Sequence, residues 1–189
     1  MIKIIGGKHR GRSIETPEGI TTRPTSNRAR ESLFNILMHA SWNEDGTSPL
    51  VEARVLDAFA GSGALGIEAL SRGAAHATFL DTDATAIRLI GENLRKIGEA
   101  ANAKVIRGDA TRPPSSREAC HLVFLDPPYR SGLAAPALSA LAEAGWLEPG
   151  AVATVELANT EDIVPPPGFE AIDERRYGAA KIVILRYVP

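Results

Sequence analysis

Cysteine is nearly absent from this 189-residue sequence: Cys120 stands alone. One thiol cannot build an intrachain disulfide framework or a cysteine-based zinc site, and it suits a reducing cytoplasm. Histidine is scarce as well. His9, His39, His76 and His121 are scattered with no H-x-x-x-H pair, so no metal site is expected. Aromatic residues make up only 5%. No apolar run approaches the ~20 residues of a membrane span. The start, Met1-Ile2-Lys3-Ile4-Ile5-Gly6-Gly7, lacks the long apolar core of a secretory leader. A cytoplasmic monomer is the expectation.

What is present is an ordinary globular mixture, 44% hydrophobic and 23% charged, enough for one domain and a small appendage. The net charge of −2 argues against a polybasic nucleic-acid binder, but it hides an asymmetry. Residues 1–30 hold Lys3, Lys8, Arg10, Arg12, Arg23, Arg28 and Arg30 against Glu15 and Glu18, a balance of +5 that leaves −7 for the remainder.

Local patterns give an order of elements. Residues 2–5 and 12–16 read as strands around Gly6-Gly7-Lys8-His9-Arg10-Gly11, a basic hairpin. A loop with Pro17, Gly19 and Pro24 follows. Ser26 or Asn27 then caps a helix to about residue 40, with Leu33, Phe34, Leu37 and Met38 on one face. Strands are expected near 54–58, 77–81, 104–106, 122–125 and 151–157. Helices are expected near 64–71, 84–96 and 133–144. The alternation predicts an α/β fold, a doubly wound, mostly parallel sheet. Two last runs, 170–177 and 181–187, have no crossover helix between them and predict an antiparallel pair at the sheet edge. The expected division is a hairpin extension over 1–25 and a main domain over 26–189. Cys120 and His121 are expected in the core, and Pro165–Pro167 to stiffen a loop. Trp42 and Trp146 have no motif context.

Gly61-Ser62-Gly63-Ala64-Leu65-Gly66 is a G-x-G-x-x-G between a strand and a helix. Its glycines permit a tight turn and close approach of a ligand to the helix N-terminus. Asp81 lies 20 residues after Gly61, where a carboxylate can accept from both hydroxyls of a ribose. Dinucleotide and S-adenosylmethionine sites both use such a loop. Asp57, four residues before Gly61, separates them: an anion there repels a pyrophosphate but suits an ammonium and a sulfonium. Its other reading is a turn-capping carboxylate. Asp109, in Arg107-Gly108-Asp109-Ala110, belongs to the same strand-end crevice; it suits an adenine amino group, or a plain turn.

Asp126-Pro127-Pro128-Tyr129 ends the fourth expected strand of the sheet. Two prolines remove two N–H donors, leaving the Asp126 carboxylate and the Pro127 carbonyl as acceptors. Such a pair suits the –NH2 of a nucleobase. Gripping its hydrogens favours a pyramidal nitrogen whose lone pair faces an electrophilic methyl, and Tyr129 can stack on the base.

These residues resemble a class I S-adenosylmethionine-dependent methyltransferase with a Rossmann-like fold. Upstream, Ile4-Ile5-Gly6-Gly7-Lys8-His9-Arg10-Gly11-Arg12, Arg23-Pro24-Thr25 and Arg28-Ala29-Arg30-Glu31-Ser32-Leu33-Phe34-Asn35 resemble the bacterial RsmD-type enzymes. These are methyltransferases of guanine N2 in the 16S rRNA of the small ribosomal subunit. Tyr177-Gly178 also matches. Asn27 stands where that family usually has an acid, and Asp81 where Glu is more usual.

The resemblance implies catalytic roles for Asp126, Pro127, Pro128 and Tyr129. It implies cofactor contacts from Asp57, Phe59, Ala60, Gly61, Ser62, Gly63, Asp81, Thr82, Asp109 and Ala110. RNA contacts are expected from Lys8, His9, Arg10, Arg12, Arg23, Arg28, Arg30 and Arg130, with ribosomal RNA or an assembling small subunit as partner; for Arg23, Arg28 and Arg30 the cofactor carboxylate and nearby acids are alternative partners. Three rivals share features with this reading. They are a DNA adenine-N6 methyltransferase, an NAD-linked oxidoreductase, and a non-catalytic RNA-binding assembly factor.

Overall fold

The structure is a computed structural model that describes residues 1–16, 27–39 and 47–189. Strands β1 (Ile2–Lys3) and β2 (Ser13–Ile14) form a small antiparallel ladder. The main body runs α1 (Asn27–Met38), β3 (Arg54–Asp57), α2 (Ala64–Ser71), β4 (His76–Asp81), α3 (Ala84–Ile97) and β5 (Ala103–Arg107). It continues through β6 (Cys120–Leu125), α4 (Ala134–Glu143), β7 (Leu147–Ala158), β8 (Phe169–Tyr177) and β9 (Ala180–Tyr187).

The seven long strands form one sheet in the order β5-β4-β3-β6-β7-β9-β8. The five from β5 to β7 are parallel, and β9 and β8 close the edge antiparallel. This is the expected doubly wound arrangement. The strand order reverses between β3 and β6, where a doubly wound sheet opens its ligand crevice. Residues 122–125 of β6 and 151–155 of β7 are nearly continuous buried runs because both faces of these central strands are covered.

Two apolar layers sandwich the sheet. One gathers Leu33, Phe34 and Leu37 of α1 with Ile67 and Leu70 of α2 and Phe79 and Phe124 of the sheet. The other gathers Leu138 and Leu141 of α4 with Trp146, Leu125 and Val155. Phe34 meets Phe124 at 5.6 Å between ring centroids, which sets α1 across β6 just below the strand-end segment. Trp146 is a core residue whose indole N–H donates to the Pro114 carbonyl at 2.8 Å.

Cys120 is buried as expected, and burial pushes its thiol up to about 12. His121 corrects the expectation of a core residue. It is exposed, its Nδ1 accepts the Arg54 N–H at 3.0 Å, and Glu148 lies 3.4 Å from its other ring nitrogen. It sits at a register shift between Cys120 and Leu122 against β7, an irregularity that leaves this one residue facing outward between two buried ones. Among the described residues no helix is long and apolar enough to cross a membrane.

Candidate active site

The crevice is built where β3, β4, β5 and β6 end together. Ala58 N–H donates to the Phe124 carbonyl, Ala60 N–H to Leu80, and Gly108 N–H to Asp81. Register puts Asp57 opposite both Phe79 and Phe124, so Asp81 and Asp126 lie two residues further along the flanking strands. With the two-residue period of a strand, all three carboxylates belong to one side of the sheet.

The loop from Ala60 to Gly63 turns directly into α2. Gly61 has a φ of 52°, and the space that a side chain would occupy there is open. At Gly66 a side chain would collide with the Phe79 ring, so this glycine lets α2 lie close on β4. Asp57 is buried beneath the loop. Its Oδ2 accepts the Gly66 N–H at 3.0 Å, while its Oδ1 has no partner. One oxygen therefore does cap the helix start, and the other is left for something else. Burial, augmented by the nearby Asp81 charge, pushes the carboxyl up to about 7.

Asp81 ties the loop to the crevice. Its Oδ2 accepts the Gly61 N–H at 2.7 Å and its Oδ1 the Asp83 N–H at 2.9 Å. Each carboxylate oxygen keeps further lone-pair capacity. Thr82 follows on the exposed rim, and its carbonyl accepts from Arg107. Phe59 is half-buried against the α4-side layer, and Ala60 and Ala110 are buried. Asp109 makes a tight turn, its Oδ1 accepting from both the N–H and the hydroxyl of Thr111 at 2.8 and 2.7 Å. Those bonds hold its carboxyl below the usual range.

The Asp126–Tyr129 segment leaves β6 beside this loop. Asp126 is half-buried, Pro127 buried, Pro128 exposed, and Tyr129 is 42% exposed. The Tyr129 hydroxyl donates to Glu156 Oε1 at 2.9 Å. Burial raises its pKa, and the Glu156 charge and hydrogen bond raise it further. The ring therefore stays a neutral phenol with one end tethered and one face reachable.

The expected RNA cations separate into two sets. Lys8 and His9 both bind Glu99, at 2.7 and 2.5 Å. The Arg12 guanidinium donates to the carbonyls of Ile97 and Lys96 at the end of α3. Arg30 is 1% exposed and donates to the Lys3 carbonyl at 2.7 Å. Arg30 is thus a buried anchor for the N-terminal strand with Glu68 4.0 Å away, which fits the nearby-acid alternative and not a surface cation. Arg10, Arg28 and Arg130 are exposed, and Lys8 keeps 53% of its side chain exposed. Arg23, the expected cap Ser26, the loop over 17–25 and Trp42 lie outside the described residues.

Several residues without a motif hold the site together. Glu68 of α2 accepts the N–H groups of Ile5 and Gly6 at 2.8 and 2.7 Å, docking the hairpin. Glu156 and Glu161 grip the segment after β6, and buried Lys181 pairs with Asp162 in the loop after β7. The available signal was an acid or lysine inside an otherwise apolar strand, as at Glu156 and Lys181. Among the described residues no cluster of His, Cys, Asp and Glu could hold a metal ion.

A family model described as "Conserved hypothetical protein 95" matches residues 2–186. The chain belongs to that family. Ribosomal RNA small subunit methyltransferase D of Escherichia coli (strain K12) is 41% identical to it over 156 residues, covering 82% of this chain and 74% of the relative. The Haemophilus influenzae protein of the same name is 36% identical over 182 residues, covering 94% and 89%. The solved structure of Escherichia coli yhhF matches this conserved hypothetical protein 95 member with a TM-score of 0.82 and 35% identity, covering 99% and 98%.

An RNA methyltransferase of Salinibacter ruber, solved with S-adenosyl-L-homocysteine, shares the fold at a TM-score of 0.65 and 14% identity. It covers 87% of this chain and 94% of that one. The Rossmann-like methyltransferase fold is thus established for this family member. Its residues fit S-adenosylmethionine: a buried, unpartnered Asp57 oxygen suits a cationic group, and open space at Gly61 admits a ligand against the backbone.

Proposed function

We propose that this protein transfers a methyl group from S-adenosylmethionine to the exocyclic N2 of one guanine in small-subunit ribosomal RNA. The observation that carries the reading is the Asp126–Pro127 acceptor pair at the end of β6, one strand from Asp57 and its glycine loop. The relatives' names support ribosomal RNA as the substrate class. When bound, S-adenosylmethionine supplies an electrophilic methyl on a positively charged sulfur.

The residues of this chain do the rest. Asp57 and the Gly61–Gly63 backbone hold the methionine end, Asp81 the ribose, and the Asp109 turn borders the adenine. The Asp126 carboxylate and Pro127 carbonyl accept the two N–H groups of the guanine amine. That grip draws its lone pair out of the ring and aims it. The nitrogen would take the methyl carbon as the carbon–sulfur bond breaks, leaving the neutral thioether S-adenosylhomocysteine, and would shed one proton to Asp126 or to water. Tyr129 stacks on the flipped-out base. Orientation supplies most of the acceleration.

The N-terminal hairpin is the RNA-facing extension of the main domain, in a cytoplasmic protein that meets the assembling small subunit. Arg10, Lys8, Arg28 and Arg130 are the phosphate contacts, so affinity falls as salt rises. His9 docks the hairpin on Glu99, and Arg12 docks it on the end of α3 while staying exposed.

Asp126→Ala tests the mechanism. We expect it to bind S-adenosylmethionine as the wild type does and to lose methyl transfer by about 10³-fold or more, as loss of a preorganised contact at the reacting centre does. Transfer at the wild-type rate would refute the assignment.

A further inference from the structure

The end of β7 and the turn after it carry two carboxylates that grip the segment following β6. Register pairs Leu125 with Val155, so buried Glu156 comes next to Asp126 across the two strands. Glu156 Oε1 accepts the Tyr129 hydroxyl proton at 2.9 Å. Glu161 reaches the next residue: its Oε1 accepts the Arg130 N–H at 2.6 Å and its Oε2 the Ala158 N–H at 2.9 Å. The bond at Arg130 is made to a residue with a φ of 58°, a left-handed backbone that a non-glycine residue adopts only when its surroundings enforce it. One neighbouring strand end therefore holds two consecutive residues, Tyr129 by its side chain and Arg130 by its backbone.

Glu161 also lines a cavity, together with Pro127, Pro128 and Leu133 from the segment after β6 and Leu157 and Ile163 from the end of β7 and its loop. The loop carrying Ile163 and Val164 is itself anchored where Asp162 meets buried Lys181.

We propose that Glu156 and Glu161 are positioning residues for the transfer reaction, together holding Tyr129 and Arg130 in the pose that receives the acceptor base. The inference rests on the methyl-transfer reading above. Where a reaction depends on orientation, a displacement of about 1 Å costs on the order of 10²-fold. The clamp touches the acceptor side and leaves the loop of Asp57 and Gly61 alone, so cofactor affinity and turnover separate in its variants.

Three measurements on the full chain test this: calorimetric affinity for S-adenosylmethionine, kcat and KM on undermethylated small subunits, and hydrogen exchange at the Arg130 amide. Glu161→Ala is expected to speed that exchange about tenfold or more and to lower kcat by a similar factor, with cofactor affinity within about twofold. Glu156→Ala and Tyr129→Phe are expected to lower kcat alike, by about tenfold, since each removes the same tether. Glu156→Gln keeps an oxygen that accepts the phenol proton and should recover most of the loss. If Glu161→Ala does not fold, Glu161→Gln, which can accept only one of the two N–H groups, should show the same pattern more weakly.

Unchanged kcat and KM in both alanine variants would overturn the proposal, as would a parallel loss of cofactor affinity. Unchanged Arg130 exchange in the Glu161 variant would overturn it independently of any activity. Absence of transfer by the wild type would instead refute the reading on which it rests.

Discussion

Two buried carboxylates flank helix α2, and they are treated oppositely. Glu68, inside the helix, and Asp57, beneath its first turn, are each 1% exposed. Glu68 is saturated. It accepts from Ile5 N–H, Gly6 N–H and the Arg72 guanidinium, and Arg30 lies 4.0 Å away. Asp57 accepts one N–H and keeps a buried oxygen without a partner. A carboxylate that serves the fold finds its donors within the chain, because an unmet one costs stability. Under the proposed function, the half-met carboxylate of Asp57 is where a ligand supplies the missing donor. The N-terminal extension and the glycine loop thus meet the same helix with the same functional group, one saturated by docking and one with an oxygen left open.

Removing each acid sharpens the contrast. Glu68→Ala strips two hairpin N–H groups and Arg72 of their buried acceptor and should cost about 3–5 kcal/mol of stability. Urea unfolding measures this, and a loss near zero would break the comparison. Asp57→Asn should leave stability unchanged or slightly raised, since it removes a buried carboxylate that is costly to ionise. It should weaken S-adenosylmethionine by about 10- to 100-fold, the worth of one charge-assisted hydrogen bond. Calorimetry measures this, and an intact affinity would show that the open oxygen serves no ligand.

Glu99 is a second docking acid. Burial alone would raise its pKa, but hydrogen bonds from Asn102, His9 and Lys8 outweigh that and hold the carboxyl at about 2. Its contribution is complete above the ordinary carboxylate range and is lost as pH falls through about 2. Glu99→Gln should cost about 2 kcal/mol at neutral pH and flatten the acid limb of a pH–stability curve.

The smallest expected effect is the opposite pH signature of Asp57. Its carboxyl is raised from 3.8 to about 7, so its contribution to stability is complete below about pH 4 and is lost as pH rises through 7. A cationic ligand favours the ionised form. Binding near pH 7 should therefore release protons and tighten as pH rises, and Asp57→Asn should abolish both. Calorimetry in buffers of different ionisation enthalpy measures the release.

The elements that position the site were legible in the sequence because their signals are local. Glycine turns and apolar runs marked β3, α2, β4 and α3, and the absence of a crossover marked the β8–β9 hairpin. Strand-end chemistry marked Asp57, Asp81 and the Asp126 segment. Which charged side chains find partners inside the chain was not legible. Lys8, His9, Arg12 and Arg30 have the composition of a phosphate-binding surface. Their partners, Glu99, the end of α3 and the Lys3 carbonyl, are set by contacts between residues as many as 91 positions apart in the chain. Glu68 and Glu99 look like solvated helix-face acids until the hairpin is laid over them. Glu161 sits in a loop, and only the approach of Arg130 gives it work.

The central claim is a specific nitrogen on a specific kind of RNA. Small subunits lacking this methylation should be incubated with the purified protein and methyl-labelled S-adenosylmethionine, and the product nucleoside then identified and mapped. The account predicts one labelled position, as N2-methylguanosine in the small-subunit RNA. Label on an adenine, label spread over many positions, or no transfer to any small-subunit RNA would contradict it.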